Sequence, residues 1–415
     1  MADVQPLRAV HYDLASAGAL ADVVAPPYDV IDALQRAELV ARSPHNVVEI
    51  DLPAGAEPYE HAAQLYAEWQ RSGVLVRDSE PALWPLEQLY RGPDGQLRTR
   101  HGFFARVRVE DYGAGRIRPH ERTHPGPKED RLRLTRATRA NLSPIFSLYS
   151  DPAASAWGAL SAPTSGQPWG EVTDGDGTVH RLWRCDDATA IEAVQSTLAS
   201  AELLIADGHH RYETARVYAE EVGGEGDHRY VLMCLVALED PGLTVFPTHR
   251  LVGGLDAARR AALAEAIERD FVATAVTRDQ IAPAPGLGPL ELGYVDAERA
   301  LHLVLRDQAI ADAALAGLPP AYQRLDTGVL EALLLKGVLG LTDEDISHLQ
   351  GFGYARDSAQ ALELVDSGEY DAAFLLRPTP VEAVRAVAAA GVNMPPKSTY
   401  FFPKVLTGLV INPLA

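Results

Sequence analysis

Along this chain the apolar positions alternate between helical and strand spacing. From Tyr59 to Ser72 the apolar residues Ala62, Leu65, Tyr66 and Trp69 keep the spacing of one helix face, and Gly73 ends the run. Upstream, Ala25-Pro26-Pro27 imposes an extended or turning backbone, a rigid loop ahead of a helix from about residue 32 to 41. Strand-like runs at 83–90 and 103–109, joined through Gly92-Pro93-Asp94-Gly95, predict an antiparallel hairpin. A helix is predicted from Lys128 to about Leu142, with Lys128, Arg131, Thr135 and Arg139 on one face, and residues 151–176, rich in Pro, Gly, Ser and Ala, predict a loop-laden connection. A strand at 180–185, a helix at 188–200, a strand at 203–206 and a helix from 209 to about 221 then give a β-α-β-α run, followed by strands at 230–237 and 243–247. Beyond Leu255 helices dominate, interleaved with strands at 300–305, 373–376 and 409–411. The pattern predicts an α+β fold with a mixed sheet and a helix-rich C-terminal part, in three regions: 1–150, 151–254 and 255–415.

Length and charge narrow the function. With 415 residues, 47% of them hydrophobic and 23% charged, the chain is expected to fold into two or three domains around substantial cores. The net charge of −20 argues against nucleic acid and anionic membranes as partners, since both need a basic footprint. Two cysteines, Cys185 and Cys234, both in strand-like segments, point to a reducing compartment without structural disulfides. The first ten residues carry one arginine and no long apolar run, so a cytoplasmic protein without a secretory signal or membrane span is expected. One segment runs against the acidic trend. Between Arg116 and Arg139 stand eight basic residues and only Glu121, Glu129 and Asp130 as acids. That contrast suits a small anionic ligand, or else a solvated helix face with Glu129 and Arg133 paired at i,i+4.

The strongest chemical signal is Asp207-Gly208-His209-His210-Arg211, fed by the short apolar run Leu203-Leu204-Ile205-Ala206. Gly208 permits a tight turn, Asp207 is suited to cap the helix, and the helix's first N–H groups and dipole favour an anion. Arg211 can fork two hydrogen bonds to phosphate oxygens, and His209 or His210 can exchange a proton near neutral pH. His120-Glu121-Arg122-Thr123-His124 matches the H-E-x-x-H zinc pattern, but Pro119 before it and Pro125-Gly126-Pro127 after it leave room for barely one helical turn. An ordered loop fits better, presenting Glu121 as a base or metal-facing carboxylate and Arg122 and Lys128 to an anion. Gly391-Val392-Asn393-Met394-Pro395-Pro396-Lys397-Ser398 approaches a P-loop, yet Pro396 takes the place of the second glycine and removes a phosphate-binding N–H. The following run to Lys404, with two lysines, hydroxyls and three aromatics, could line a pocket or form a packed strand. Pro247-Thr248-His249-Arg250 ends a strand and could add Thr248 and Arg250 to the same cleft.

Taken in order, Val24-Ala25-Pro26-Pro27-Tyr28-Asp29-Val30, Pro119-His120-Glu121-Arg122-Thr123, Ile205-Ala206-Asp207-Gly208-His209-His210-Arg211, Pro247-Thr248-His249-Arg250 and Pro396-Lys397-Ser398-Thr399 resemble the family called domain of unknown function 1015, over essentially the whole chain. The Asp-Gly-His-His-Arg stretch also resembles the phosphate box of the ParB and sulfiredoxin superfamily, which includes kinases of free serine. That local resemblance implies a ParB/sulfiredoxin-like core, a phosphate donor (ATP, ADP or pyrophosphate) held by Asp207, Gly208, His209, His210 and Arg211, and an amino-acid-like acceptor, with L-serine foremost. Phosphoryl transfer asks for positive charge, position and usually Mg²⁺. Arg122, Lys128, Arg131, Thr248, Arg250 and Lys397 are the candidate phosphate ligands, and Glu121 or Asp207 the group that takes the hydroxyl proton or holds the metal, whose identity the residues leave open. The alternatives are a nucleotide-binding regulatory protein of the same superfamily and a zinc-dependent hydrolase. Oligomeric state is not legible.

Overall fold

The computed structural model describes residues 2–113, 116–121, 125–286 and 288–415, with residues 125–127 described by their backbone alone. The chain forms two compact units: residues 1–244 with 403–415, and residues 245–402. These boundaries differ from the three regions expected. The strand Ile145–Tyr149 pairs with both Leu203–Asp207 and Tyr230–Ala237, so the first two regions share one sheet, and the last residues of the third belong to the same unit.

The first unit is built on a nine-stranded mixed sheet. Its strands run in the order Ile117–Arg118, Leu203–Asp207, Ile145–Tyr149, Tyr230–Ala237, Leu97–Arg108, Trp84–Arg91, Val179–Leu182 and Gly170–Thr173, with Val4–Gln5 paired to Leu97–Arg108. The expected hairpin is present, Trp84–Arg91 pairing antiparallel with Leu97–Arg108. Two pairs are parallel, Leu203–Asp207 with Ile117–Arg118 and Tyr230–Ala237 with Ile145–Tyr149, which makes the sheet mixed. One face packs Phe103, Ala105, Ile145, Leu203, Ile205, Met233 and Leu235 against Ala190, Val194 and Leu198 of the helix Ala188–Leu198, and against Tyr212 and Ala215 of the helix His209–Val222.

The helix expected to reach residue 142 ends sooner. It spans Pro125–Thr138, because Arg139 turns left-handed at φ 50° and Ala140–Asn141 pairs with Asn412–Pro413. Arg139 therefore leaves the shared face. The strand expected at 409–411 lies instead at Asn412–Pro413, where it pairs with Ala140–Asn141, and Ile411 makes a single bridge to Val10.

The second unit is rich in helix, as expected, and also carries a six-stranded sheet that is antiparallel throughout, in the order Phe271–Ala275, Ala300–Leu305, Glu291–Asp296, Ala372–Leu376, His249–Val252, Phe352–Ala355. Alternation along its strands sends Leu292, Tyr294 and Phe374 into one core with Leu263, Ile267 and Leu334, and sends Val295, Ala373 and Leu375 into another with Ala361 and Val365. Among the described residues no helix is long and apolar enough to cross a membrane, and both cysteines are free and buried.

Candidate functional site

The turn between the strand Leu203–Asp207 and the helix His209–Val222 organises the site. Leu203 to Ala206 are buried and leave Asp207 at the sheet's end, where the register against Ile145–Tyr149 shifts between Ile205 and Asp207. Gly208 follows at φ 94°, a left-handed conformation that glycine adopts without penalty, and as the helix's capping residue it has no side chain with which to cap. A Cβ at Gly208 would sit 3.0 Å from the Arg211 Nε.

Asp207 was expected to cap this helix, and it does something else. The capping position belongs to Gly208, so the Asp207 carboxylate stands one residue too early and binds two cations instead. Arg211 Nη2 donates to its Oδ2 at 2.5 Å and Lys404 Nζ to its Oδ1 at 2.6 Å. Burial alone would raise the Asp207 carboxyl, but the charges of Lys404 and Arg211 outweigh it and hold the group well below the ordinary carboxylate range. Arg211 also donates to the Pro144 carbonyl, faces the Tyr28 ring at 6.0 Å, and keeps a buried Nε with no hydrogen-bond partner among the described residues. Formally this Asp–Arg–Lys group carries one net positive charge beside the helix N-terminus that Gly208 opens.

His209 turns inward and meets His120, the two rings 4.7 Å apart and nearly perpendicular. The His120 backbone N–H donates to His209 Nε2 at 3.3 Å, which makes that nitrogen an acceptor and places a neutral ring's proton on Nδ1. His120 Nδ1 lies 2.7 Å from the Ile205 carbonyl and must be the donor there. Burial pushes His120 down to about 4, and burial with the neighbouring His120 pushes His209 well below the usual imidazole range. His209 or His210 was expected to give or take a proton near neutral pH; of the two, His209 is held neutral by desolvation. Glu121 is half-buried, its Oε1 3.9 Å from His120 Nε2, and His210 is half-buried on the same first turn.

The basic segment is divided in use. Arg122 lies outside the described residues, as does His124 of the zinc pattern; among the described residues no group of three or more His, Cys, Asp or Glu is placed to hold a metal ion. Lys128 is half-buried, and its carbonyl accepts from Thr214 Oγ1 at 3.4 Å, which ties the helix Pro125–Thr138 to the helix His209–Val222. Arg131 is buried and occupied: Nη1 donates to the Asp51 carbonyl at 2.6 Å, Nε to Asp130 at 2.8 Å, and its guanidinium lies 4.1 Å from the Tyr28 ring centroid. A cavity of about 40 Å³ opens between Arg131, Arg211, Asp51, Ser143 and Thr214, room for a few waters and too little for a nucleotide.

Thr248, Arg250 and Lys397 belong to the second unit. There Arg250 is buried and spends its donors on the carbonyls of Thr248, Pro396 and Lys397, a backbone-tying role, while Lys397 is exposed with φ 55°.

Three members of the site escaped the sequence reading. Lys404 carried a signal only as a lysine among aromatics, His120 was weighed only for zinc, and Tyr28 was seen only as part of a rigid loop. In the structure Tyr28 opens a short 3-10 turn after Pro27 and lies between Arg131 and Arg211, its hydroxyl pushed up by burial to about 12.

Among solved structures, the chain is similar to a conserved hypothetical protein from Pyrococcus furiosus, at 14% identity and a TM-score of 0.34 over 72% of this chain and 90% of that one. A free serine kinase in complex with AMP matches at 13% identity and a TM-score of 0.35, over 72% and 86%. SbnI from Staphylococcus aureus, truncated at its C-terminus, matches at 12% and 0.36, over 73% and 85%. Likeness at this level says nothing about activity. No curated protein matches the chain. The family model described as "Protein of unknown function (DUF1015)" matches residues 4–328, which carry the N-terminal Pro-Pro-Tyr loop, His120 and the whole Asp207–Arg211 turn. The chain therefore belongs to the DUF1015 family.

Proposed function

We propose that this protein is a small-molecule kinase that moves a phosphoryl group from ATP, ADP or pyrophosphate to a hydroxyl, with free L-serine as the leading acceptor, and that its phosphate box is ParB-like. The observation that carries the proposal is the N-terminus of the helix His209–Val222, whose capping residue is a left-handed Gly208 with no side chain to offer, flanked by Arg211 and Lys404. Such an end favours a bound anion, and the two cations add charge where a transferring phosphoryl group develops it. Asp207, fully ionised, holds both cations in place. Neutral His209 and His120 keep the floor of the turn uncharged, and Glu121 at the edge is the proposed base for the acceptor hydroxyl. Mg²⁺ would be supplied with the donor and held chiefly by its phosphates, for the described residues form no preformed metal cluster.

A ³¹P NMR assay with Mg²⁺ and L-serine, comparing ATP, ADP and pyrophosphate, tests this. A phosphomonoester signal from wild type that disappears in Lys404→Met is the expected result. Silence with every donor, together with measurable nucleotide binding, would instead support a nucleotide-sensing protein.

A further inference from the structure

Arg100, in the strand Leu97–Arg108, is 1% exposed and has no carboxylate partner among the described residues. Its guanidinium lies 4.5 Å from the Phe146 ring centroid, and burial lowers its pKa to about 10, so it remains a cation at neutral pH. An uncompensated buried cation is costly, and an aliphatic side chain would serve stability better at this position. The hydrogen bonds show what the charge is used for. Nη2 donates to the Pro403 carbonyl at 2.6 Å, and Nε at 3.0 Å together with Nη2 donates to Gln88 Oε1. That fixes the Gln88 amide, whose Nε2 donates onward to the Lys404 carbonyl and to His180 Nδ1, both at 3.1 Å; His180 Nε2 in turn donates to Asp174 Oδ2 at 2.8 Å. Residues 403–406 lie in no strand or helix, so the carbonyls of 403 and 404 depend on side chains for donors. Beneath the guanidinium, Phe146 is the register partner of Asp207.

We propose that Arg100, with Gln88, is a positioning residue of the phosphate turn: it fixes the backbone of Pro403 and Lys404 so that the Lys404 ammonium meets Asp207. The proposal deepens the kinase reading, on which its meaning for catalysis rests, but its geometry stands without a substrate.

Hydrogen exchange of the ligand-free full chain, followed over residues 203–212, is the test. Lys404→Met sets the reference by freeing Asp207 from its lysine. Arg100→Met is expected to speed exchange there roughly tenfold, with no further gain in the Arg100→Met/Lys404→Met double variant, the signature of one residue acting through the other. Gln88→Glu separates position from stability, because it gives Arg100 a counter-ion and yet removes the donor to the Lys404 carbonyl. Its new oxygen faces the Lys404 carbonyl and His180 Nδ1, and the variant should stay folded, with a native far-UV signal, while exchange at 203–212 still rises. Unchanged exchange in folded Gln88→Glu, or additive effects in the double variant, would overturn the proposal. Because no donor is present, failure of the kinase assay leaves this result readable. If wild type does transfer phosphate, Gln88→Glu should lower kcat with the chain still folded.

Discussion

Asp207 binds a cation on each oxygen, one from the next helical turn and one from the far end of the chain. Its carboxyl is depressed, so its contribution to stability is complete above the unfolded carboxylate range, declines as pH falls below that range, and is gone once pH has passed through the still lower native value. Acid sensitivity above pH 4 must therefore come from elsewhere, and the buried histidines supply it. An unfolded imidazole takes a proton near 6.5, whereas native His120 resists until about 4. The stability that neutral His120 contributes is whole above the unfolded value and falls by about 1.4 kcal/mol for each pH unit down towards the native one. Thermal melts between pH 7 and 4.5 should show this loss, and His120→Asn should show a flatter dependence; an unchanged slope would mean that the ring is not held neutral. Replacing Asp207 by Asn should destabilise the first unit by about 3 kcal/mol, since two largely buried cations lose their shared counter-charge. Urea unfolding would measure it.

At the scale of the element, the strand–turn–helix from Leu203 to Val222 was legible to within a residue, because an apolar run, a glycine and a helical pattern are local signals that agree. What Asp207 does was not legible. Its capping role failed by a single position, and its true partners depend on a helical turn for Arg211 and on tertiary return for Lys404. The basic face of the helix Pro125–Thr138 was half legible: Arg131 lies on it but is absorbed by Asp51 and Asp130, and Arg139 leaves it through a left-handed turn that no periodicity announces. Gly208→Ala tests the turn directly. The left-handed backbone alone costs about 1–2 kcal/mol, and the added methyl meets an Arg211 already fixed by Asp207 and the Pro144 carbonyl. A drop in the urea midpoint corresponding to at least that cost is expected, with the far-UV signal of the native state retained.

For the molecule as a whole, the second unit is one continuous stretch, and its two ends meet: Phe246 and Phe402 stack with ring centroids 4.5 Å apart. With two cores of its own flanking a complete antiparallel sheet, residues 245–402 should fold when expressed alone, with a single cooperative melt and dispersed NMR signals. The first unit has the opposite construction. Lys404, Thr407, Ile411 and Asn412 reach it only after the whole second unit, to join Asp207, Ser143, Val10 and Asn141. On the ribosome, then, the phosphate turn is synthesised long before the lysine that completes it, and must wait about 10–40 s, at ordinary elongation rates, while the chain from the turn to Lys404, the whole second unit included, is made. Until Lys404 has been added Asp207 has only Arg211 to pair with, and a nascent chain arrested before Lys404 is a protein whose site has not yet closed.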